Sequence, residues 1–263
     1  MKYKLIALDV DDTLLNSKNE LTERTLSALR RAQEAGVAVV LATGRLPQII
    51  KKLYDQIGLA GPIICGGGSV VCDKDFNEIF TRLLPVEDAH SILEFAHEAG
   101  VPAQMYFDGM VNYETENEFS IEYAKTYGFP PRVLPNIREM EVHSAKCLIV
   151  STPEKIMEIQ PKLKAMLPHL NVVRSKPSYL EITDPRANKG AALKFIGEYL
   201  GIGPEEMIAV GDSQIDVPML KYAGLPVSVA NGLEEIKPYC KYITKSNDED
   251  GVACVIEKFI LGE

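Results

Sequence analysis

Asp9, Asp11 and Asp12 place three carboxylates within four residues, and Thr13 adds a hydroxyl directly after them. Such a cluster repels itself, and a divalent cation among the carboxylates removes that cost. Oxygen-only ligands suit Mg²⁺. A second acidic run, Gly211-Asp212-Ser213-Gln214-Ile215-Asp216, lies far along the chain. Between the two stand Thr43, a hydroxyl donor, and Lys189, a cation that opens a helix. Backbone N–H groups and helix N-termini attract anions. A metal, a lysine, a hydroxyl and free N–H groups converging on one point describe a phosphoryl site. Asp9 and Asp11 then divide the labour. One attacks phosphorus while its other oxygen binds Mg²⁺; the second protonates the leaving oxygen and later deprotonates water. Mutual repulsion drives two such acids to opposite protonation states. Blander readings compete at each position: Asp12 as an acidic turn residue capping a helix, Thr43 as an N-cap, Lys189 as one more surface lysine.

What brings these residues together is a set of apolar strands. Leu5–Leu8 and Val37–Ala42 are apolar throughout, the signature of strands buried on both faces of a parallel sheet. A helix links them: Thr22 is its N-cap, Leu26, Leu29 and Ala32 form its apolar stripe, and Gly36 ends it. Strand, helix and strand with short connections make a right-handed crossover. Asp9 and Thr43 therefore leave the sheet at one edge, where ligands bind in open α/β sheets. Met207–Val210 is a further strand ending in carboxylates. A short strand at 62–65 closes in Gly66-Gly67-Gly68-Ser69, which lacks the phosphate-loop spacings and reads as a tight turn. A hairpin is expected over 70–82, helices over 46–57 and 189–200, short strands at 226–229 and 242–244, and a closing helix over 252–260. From about Leu83 the pattern changes to an α+β segment: helices over 85–99, 116–127 and 154–166, a hairpin with an Asp108-Gly109 turn, a proline-rich loop through Pro130, Pro131 and Pro135, and strands at 146–151, 171–175 and 179–183. In that hairpin, Tyr106, Asp108 and Tyr113 read as packing residues ahead of substrate contacts. The expected fold is a Rossmann-like, doubly wound parallel sheet, residues 1–82 and 184–263, carrying an inserted α+β cap, residues 83–183.

The chain of 263 residues has 46 % apolar and 25 % charged residues, the balance of a globular protein. A net charge of −9 with no basic run argues against nucleic acid as a partner. No apolar stretch is long enough to span a membrane, and the run after Met1-Lys2-Tyr3-Lys4 is too short for a signal peptide and meets Asp9. Five scattered cysteines without a Cys-x-x-Cys pair suggest reduced thiols, and hence a cytoplasmic location. The expected partner is a small phosphorylated metabolite, with the protein a monomer or a weak homo-oligomer.

The motifs, in order, resemble those of the haloacid dehalogenase-like phosphatase superfamily. The narrower likeness is to its Cof-type branch, which carries a large α/β cap between the second and third motifs. The resemblance rests on Asp9-Val10-Asp11-Asp12-Thr13, Thr43-Gly44-Arg45, Asn188-Lys189-Gly190, Gly211-Asp212-Ser213-Gln214-Ile215-Asp216 and the tail Ser246-Asn247-Asp248-Glu249-Asp250-Gly251-Val252-Ala253. It implies that Asp9 is the nucleophile and Asp11 the general acid/base. It implies that Thr43, Gly44 and Lys189 bind phosphate, and that Asp9, Asp11 through its carbonyl, Asp212 and Asp216 surround Mg²⁺, Asp216 acting indirectly. Arg45, Asn188 and Asn231 are candidates for substrate or supporting contacts. Two positions depart from the pattern: Gly67 and Ile215 stand where relatives usually have asparagine. The implied reaction is Mg²⁺-dependent hydrolysis of a small phosphomonoester, a sugar phosphate by preference, through an aspartyl-phosphate. A phosphomutase and a phospho-aspartate regulatory switch are the alternatives; the lifetime of the acyl phosphate separates them.

Overall fold

Leu5–Leu8 is wholly buried, as are the three following positions of the Ala38–Leu41 strand and all of Met207–Gly211. A sheet covered on both faces gains from every side chain, about 1.5–3 kcal/mol for each large aliphatic one, so its strands lack polar alternation. In the computed structural model, which describes residues 2–127 and 132–263, these segments are three adjacent strands of a five-stranded parallel sheet. Its order is Tyr242–Ile243, Leu225–Ser228, Met207–Gly211, Leu5–Leu8, Ala38–Leu41. The expected fold class is the observed one.

Register decides what this sheet can do. Leu5 lies level with Met207 on one side and Ala38 on the other, and Leu8 with Val210 and Leu41. These three adjacent strands therefore end flush, and the polar residues that follow them leave along one edge. The Ala42–Ile64 bridge extends that edge to the Ile63–Cys65 strand, which joins Val70–Cys72 and Glu78–Thr81 in a separate three-stranded sheet. On one face, Leu193 and Ile196 of the Lys189–Leu200 helix pack with Met219 and Leu220 of the Val217–Tyr222 helix against Leu5, Ala7 and Ala209. The Glu23–Glu34 helix buries the expected Leu26, Leu29 and Ala32, and the Thr22 hydroxyl caps it by accepting from the Thr25 N–H.

The chain divides into two compact units. One comprises Met1–Gly44, Ile50–Phe80 and Asn188–Glu263; the other comprises Arg45–Ile49 and Thr81–Ala187. The second holds a six-stranded sheet in the order Asn171–Lys176, Tyr179–Thr183, Cys147–Val150, Ala103–Phe107, Met110–Tyr113, Arg132–Val133. The Val86–Glu98 and Pro153–Met166 helices supply Ile92, Leu93, Ile156 and Leu163 to a core with Met105, Phe107, Ile149, Leu180 and Ile182. The Asp108-Gly109 turn forms as expected, both residues at positive φ. Tyr106 and Tyr113 are buried in packing, and the Tyr106 hydroxyl donates to that of Tyr123 at 2.9 Å.

Two features differ from expectation. Arg132–Val133 forms a short strand parallel to Met110–Tyr113, inside the stretch expected to be loop; Pro130 and Pro131 themselves lie outside the described residues. After Asp9 the chain does not run straight into a turn. It coils through Val10–Leu14, with Asp12 in the left-handed region at φ 61° and the Leu15 N–H closing onto the Val10 carbonyl.

The glycine run is a tight turn, as expected, with all three residues at positive φ. Gly68 also makes a close approach. A Cβ there would stand 2.2 Å from the Asn188 carbonyl carbon and 2.6 Å from the Lys189 nitrogen, against backbone that opens the lysine's helix. Gly58 has a similar positive φ but nothing within 4 Å of its absent Cβ. Gly58→Ala should therefore cost only backbone strain, about 1 kcal/mol, whereas Gly68→Ala adds overpacking and should cost at least about 3 kcal/mol. Urea denaturation of the two variants measures the difference; equal losses would contradict the close approach.

Candidate active site

Four of the expected residues meet at the sheet edge. The Lys189 Nζ donates to Asp9 Oδ1 at 2.5 Å and to Asp216 Oδ1 at 2.5 Å. Lysine and Asp216 are completely buried, and Asp9 is 5 % exposed. Carboxylate oxygens of Asp9, Asp212 and Asp216 lie within 4.8 Å of one another. Each is placed by its own local structure. Asp9 is the residue after a flush strand. Lys189 is the first residue of a helix capped by Asn188, whose side-chain oxygen accepts from the Ala191 N–H at 2.9 Å. Asp216 folds back onto the turn that precedes it: its Oδ2 accepts from the N–H groups of Asp212 and Ser213, each at 3.0 Å, and from the Ser213 hydroxyl at 3.2 Å. Gly211 permits that fold, because a Cβ there would meet the Asp216 side chain at 2.6 Å.

With both oxygens engaged, Asp216 is an anchor for Lys189 and for its own loop. Asp9 and Asp212 are left as the carboxylates with open lone pairs in the cluster. The Asp11 carboxylate is not part of the cluster among the described residues, although it stands near enough to Asp9 to raise that group's pKa slightly. Thr43 is buried, its N–H bonded to the Ile64 carbonyl and its own carbonyl accepting from the Gly67 N–H at 2.9 Å. Because the Ala42 N–H bonds the Leu8 carbonyl, Thr43 and Gly44 leave the sheet beside Asp9. Asn188 serves as a helix cap and Asn231 as a link between loops, donating from Nδ2 to the Asp12 carbonyl at 2.8 Å. Arg45 is grouped with the second compact unit. Ile215 is half-buried beside the acidic turn.

Sequence reasoning did not anticipate the Thr13 hydroxyl, which donates to Asp212 Oδ1 at 3.2 Å, or the Ser213 clamp on Asp216. A Ser-x-x-Asp spacing is a signal for the second, since a side chain three residues on can reach back to the turn's N–H groups.

The electrostatics are unbalanced. Three carboxylates face one ammonium. Burial pushes Asp9 up to about 7, with Lys189 opposing and Asp216 adding to the rise. Burial, then the Asp9 and Asp216 charges, push Asp212 up to about 9. Burial alone would lower Lys189, but Asp216 and Asp9 outweigh it and hold the ammonium well above its usual range. The donor set is oxygen only and short of positive charge, which fits a divalent cation such as Mg²⁺ held by Asp9 and Asp212.

The sign of the pH dependence follows. A carboxyl with a raised folded-state pKa binds its proton more tightly when folded, so its stabilising contribution is full at acid pH and fades as pH rises from the ordinary value to the folded one. Metal-free protein should lose melting temperature as pH rises from the ordinary carboxylate value of 3.8, until about 7 for Asp9 and about 9 for Asp212. Mg²⁺ should flatten the decline. A metal-free melting curve that rises across that range would contradict the assignment.

The comparisons with known proteins bear on the fold and the family. The family model for haloacid dehalogenase-like hydrolases matches residues 6–256. A Bacillus subtilis relative, the 5-amino-6-(5-phospho-D-ribitylamino)uracil phosphatase YcsE, is 30 % identical over 263 residues, covering 98 % of this chain and 96 % of that protein. The crystal structure of a haloacid dehalogenase-like hydrolase from Bacteroides thetaiotaomicron superposes with a TM-score of 0.87 at 31 % identity, covering 98 % of this chain and all of the other. A haloacid dehalogenase-like hydrolase structure from Bacillus subtilis gives 0.89 at 26 % identity, covering 98 % and 100 % of the two chains. Flush strands, a buried lysine between two aspartates and a match along nearly the whole chain lead to one assignment: the chain belongs to the haloacid dehalogenase-like hydrolases, in their Cof-type branch.

Proposed function

We propose that this hydrolase is a Mg²⁺-dependent phosphatase that cleaves a small phosphomonoester through an aspartyl-phosphate on Asp9. The observation that carries the reading is the buried Lys189 ammonium, 2.5 Å from an Asp9 oxygen. A cation so placed orients the Asp9 carboxylate and meets the phosphoryl oxygens as charge develops on them.

In the first step an Asp9 oxygen forms a bond to phosphorus and the bond to the leaving oxygen breaks. Asp11 gives its proton to that oxygen. In the second step water attacks phosphorus, the bond to Asp9 breaks, and Asp11 takes the proton from water. Lys189, the Thr43 hydroxyl and the Gly44 N–H hold the phosphoryl oxygens. Asp216 keeps Lys189 charged and in place. Asp9, Asp212 and the Asp11 carbonyl would hold Mg²⁺, which would neutralise the carboxylates so that a phosphate dianion could approach. The core, residues 1–82 and 184–263, performs this chemistry. The inserted segment, residues 83–183, provides choice of leaving group.

A phosphorylated sugar or sugar alcohol is the proposed substrate class. The relative named for a phospho-ribitylamino compound supports it, as does the lack of any basic run that would serve a polyanion. The protein is proposed to act in the cytoplasm, consistent with scattered free cysteines and with the absence, among the described residues, of any helix long and apolar enough to cross a membrane.

The test is hydrolysis of p-nitrophenyl phosphate with Mg²⁺, with EDTA, and by Asp9→Asn. EDTA should abolish turnover and Mg²⁺ restore it, whereas Ca²⁺, larger and with more ligands, should not. Asp9→Asn should fall below about a hundredth of wild-type activity, because an amide does not attack phosphorus. Full activity in chelator, or a variant above that level, would overturn the mechanism.

A further inference from the structure

The loop that carries Asp11 is held from outside the catalytic set. It coils from Val10 to Leu14, and its sharpest residue, Asp12, takes a left-handed backbone that a non-glycine side chain adopts only under constraint. Two asparagines supply the constraint. The Asn231 Nδ2 donates to the Asp12 carbonyl at 2.8 Å, while its Oδ1 accepts from the Asn247 N–H at 2.9 Å. The Asn247 Nδ2 donates to the Leu15 carbonyl at 3.0 Å, and Asn247 is only 8 % exposed. One carbonyl is thus held on each side of the Thr13-Leu14 step. The tail turn adds a third tie, the Ser17 N–H donating to Asp248 at 2.8 Å.

The same asparagine turn also holds the other acidic loop. The Leu233 N–H, two residues after Asn231, donates to the Asp212 carbonyl at 2.8 Å, and the Val229 N–H donates to that of Gly211. The turn that carries Asn231 therefore touches both the loop bearing Asp9 and Asp11 and the loop bearing Asp212. None of these bonds reaches a reacting atom: the two side chains hold the Asp12 and Leu15 carbonyls and each other.

We infer that Asn231 and Asn247 are positioning residues for Asp11, fixing the left-handed turn that keeps its carboxyl aimed at the leaving oxygen. The inference rests on the phosphatase reading, in which Asp11 is the acid. Loss of either asparagine lets the Asp12 turn relax and moves Asp11, while Asp9 stays fixed by its strand and by Lys189. The damage falls mainly on proton donation; Mg²⁺ would keep the Asp9 and Asp212 carboxylates, so attack on phosphorus is slowed far less.

Leaving groups read that distinction. A nitrophenolate departs without a proton, whereas an alkoxide needs one, so loss of a general acid slows alkyl phosphates far more than p-nitrophenyl phosphate. The experiment measures kcat and KM for Asn231→Ala, Asn231→Asp, Asn247→Ala and Asp11→Asn on p-nitrophenyl phosphate and on glycerol phosphate, with folding checked by melting curves. Asn231→Asp keeps the side chain's size and its acceptor but loses the amide donor. The expected result is a fall in kcat of about tenfold or more on glycerol phosphate for each asparagine variant, with p-nitrophenyl phosphate within about threefold, in the same direction as Asp11→Asn. Equal falls on both substrates would show a merely structural role and overturn the inference while leaving the phosphatase reading intact. An Asp11→Asn variant with no dependence on leaving group would remove the acid itself, and the inference with it.

Discussion

A buried ammonium between two buried carboxylates is the interaction on which the rest of this molecule depends. Lys189 is fully enclosed, and removing either aspartate would leave a charge in the interior with half its compensation, a loss of roughly 3–5 kcal/mol by the usual cost of breaking a buried pair. Desolvation is repaid only when geometry is tight and every remaining polar atom is satisfied. Asp216 meets that demand by turning its second oxygen onto two N–H groups and a hydroxyl. The glycines follow from the same requirement. Gly211 leaves room for the Asp216 carboxyl, Gly68 lets the turn after the Ile63–Cys65 strand lie against the start of the Lys189 helix, and Gly190 lets that helix approach the Pro218 carbonyl.

That pair does not balance the site. Asp212 adds a third carboxylate, and its pKa rises because burial and its neighbours leave the negative charge uncompensated. Stability and function pull in opposite directions here: a site built only to fold would not gather a surplus of negative charge in its interior. A surplus held by rigid strand ends, with oxygens of Asp9, Asp212 and Asp216 within 4.8 Å of one another, supports the proposed cation there.

Much of this was legible in the chain because parallel strands announce themselves. Leu5–Leu8 and Met207–Val210 are apolar to their last residue and then turn acidic, and equal strand lengths from a common register bring those acids together. The helix cap at Thr22 and the turn at Asp108-Gly109 rest on local chemistry and were equally readable. What could not be read is what depends on distant partners. Ser213 and Thr13 are ordinary hydroxyls in sequence; only the fold gives them Asp216 and Asp212. Asn247 stands in the sequence only as one residue of the tail motif and becomes a brace for Leu15 through a contact spanning most of the chain. The Lys146–Glu181 ion pair, 3.0 Å apart and buried in the second unit, breaks the rule that charges lie outside, and no local pattern marks it. Arg132–Val133 is too short for periodicity to register.

The claim at the centre of this account is that the acidic cluster is one divalent cation short of neutral. The most direct measurement is the melting temperature of wild type and of Asp212→Asn, each metal-free and each saturated with Mg²⁺, at a pH just above the value of about 9 to which Asp212 is raised. The substitution keeps the shape of the side chain and its acceptor for Thr13 but removes the surplus charge. The metal-free variant should melt above the metal-free wild type, and Mg²⁺ should reverse the order by raising the wild type alone. A metal-free variant that melts below the wild type, or an equal Mg²⁺ response in both proteins, would contradict it.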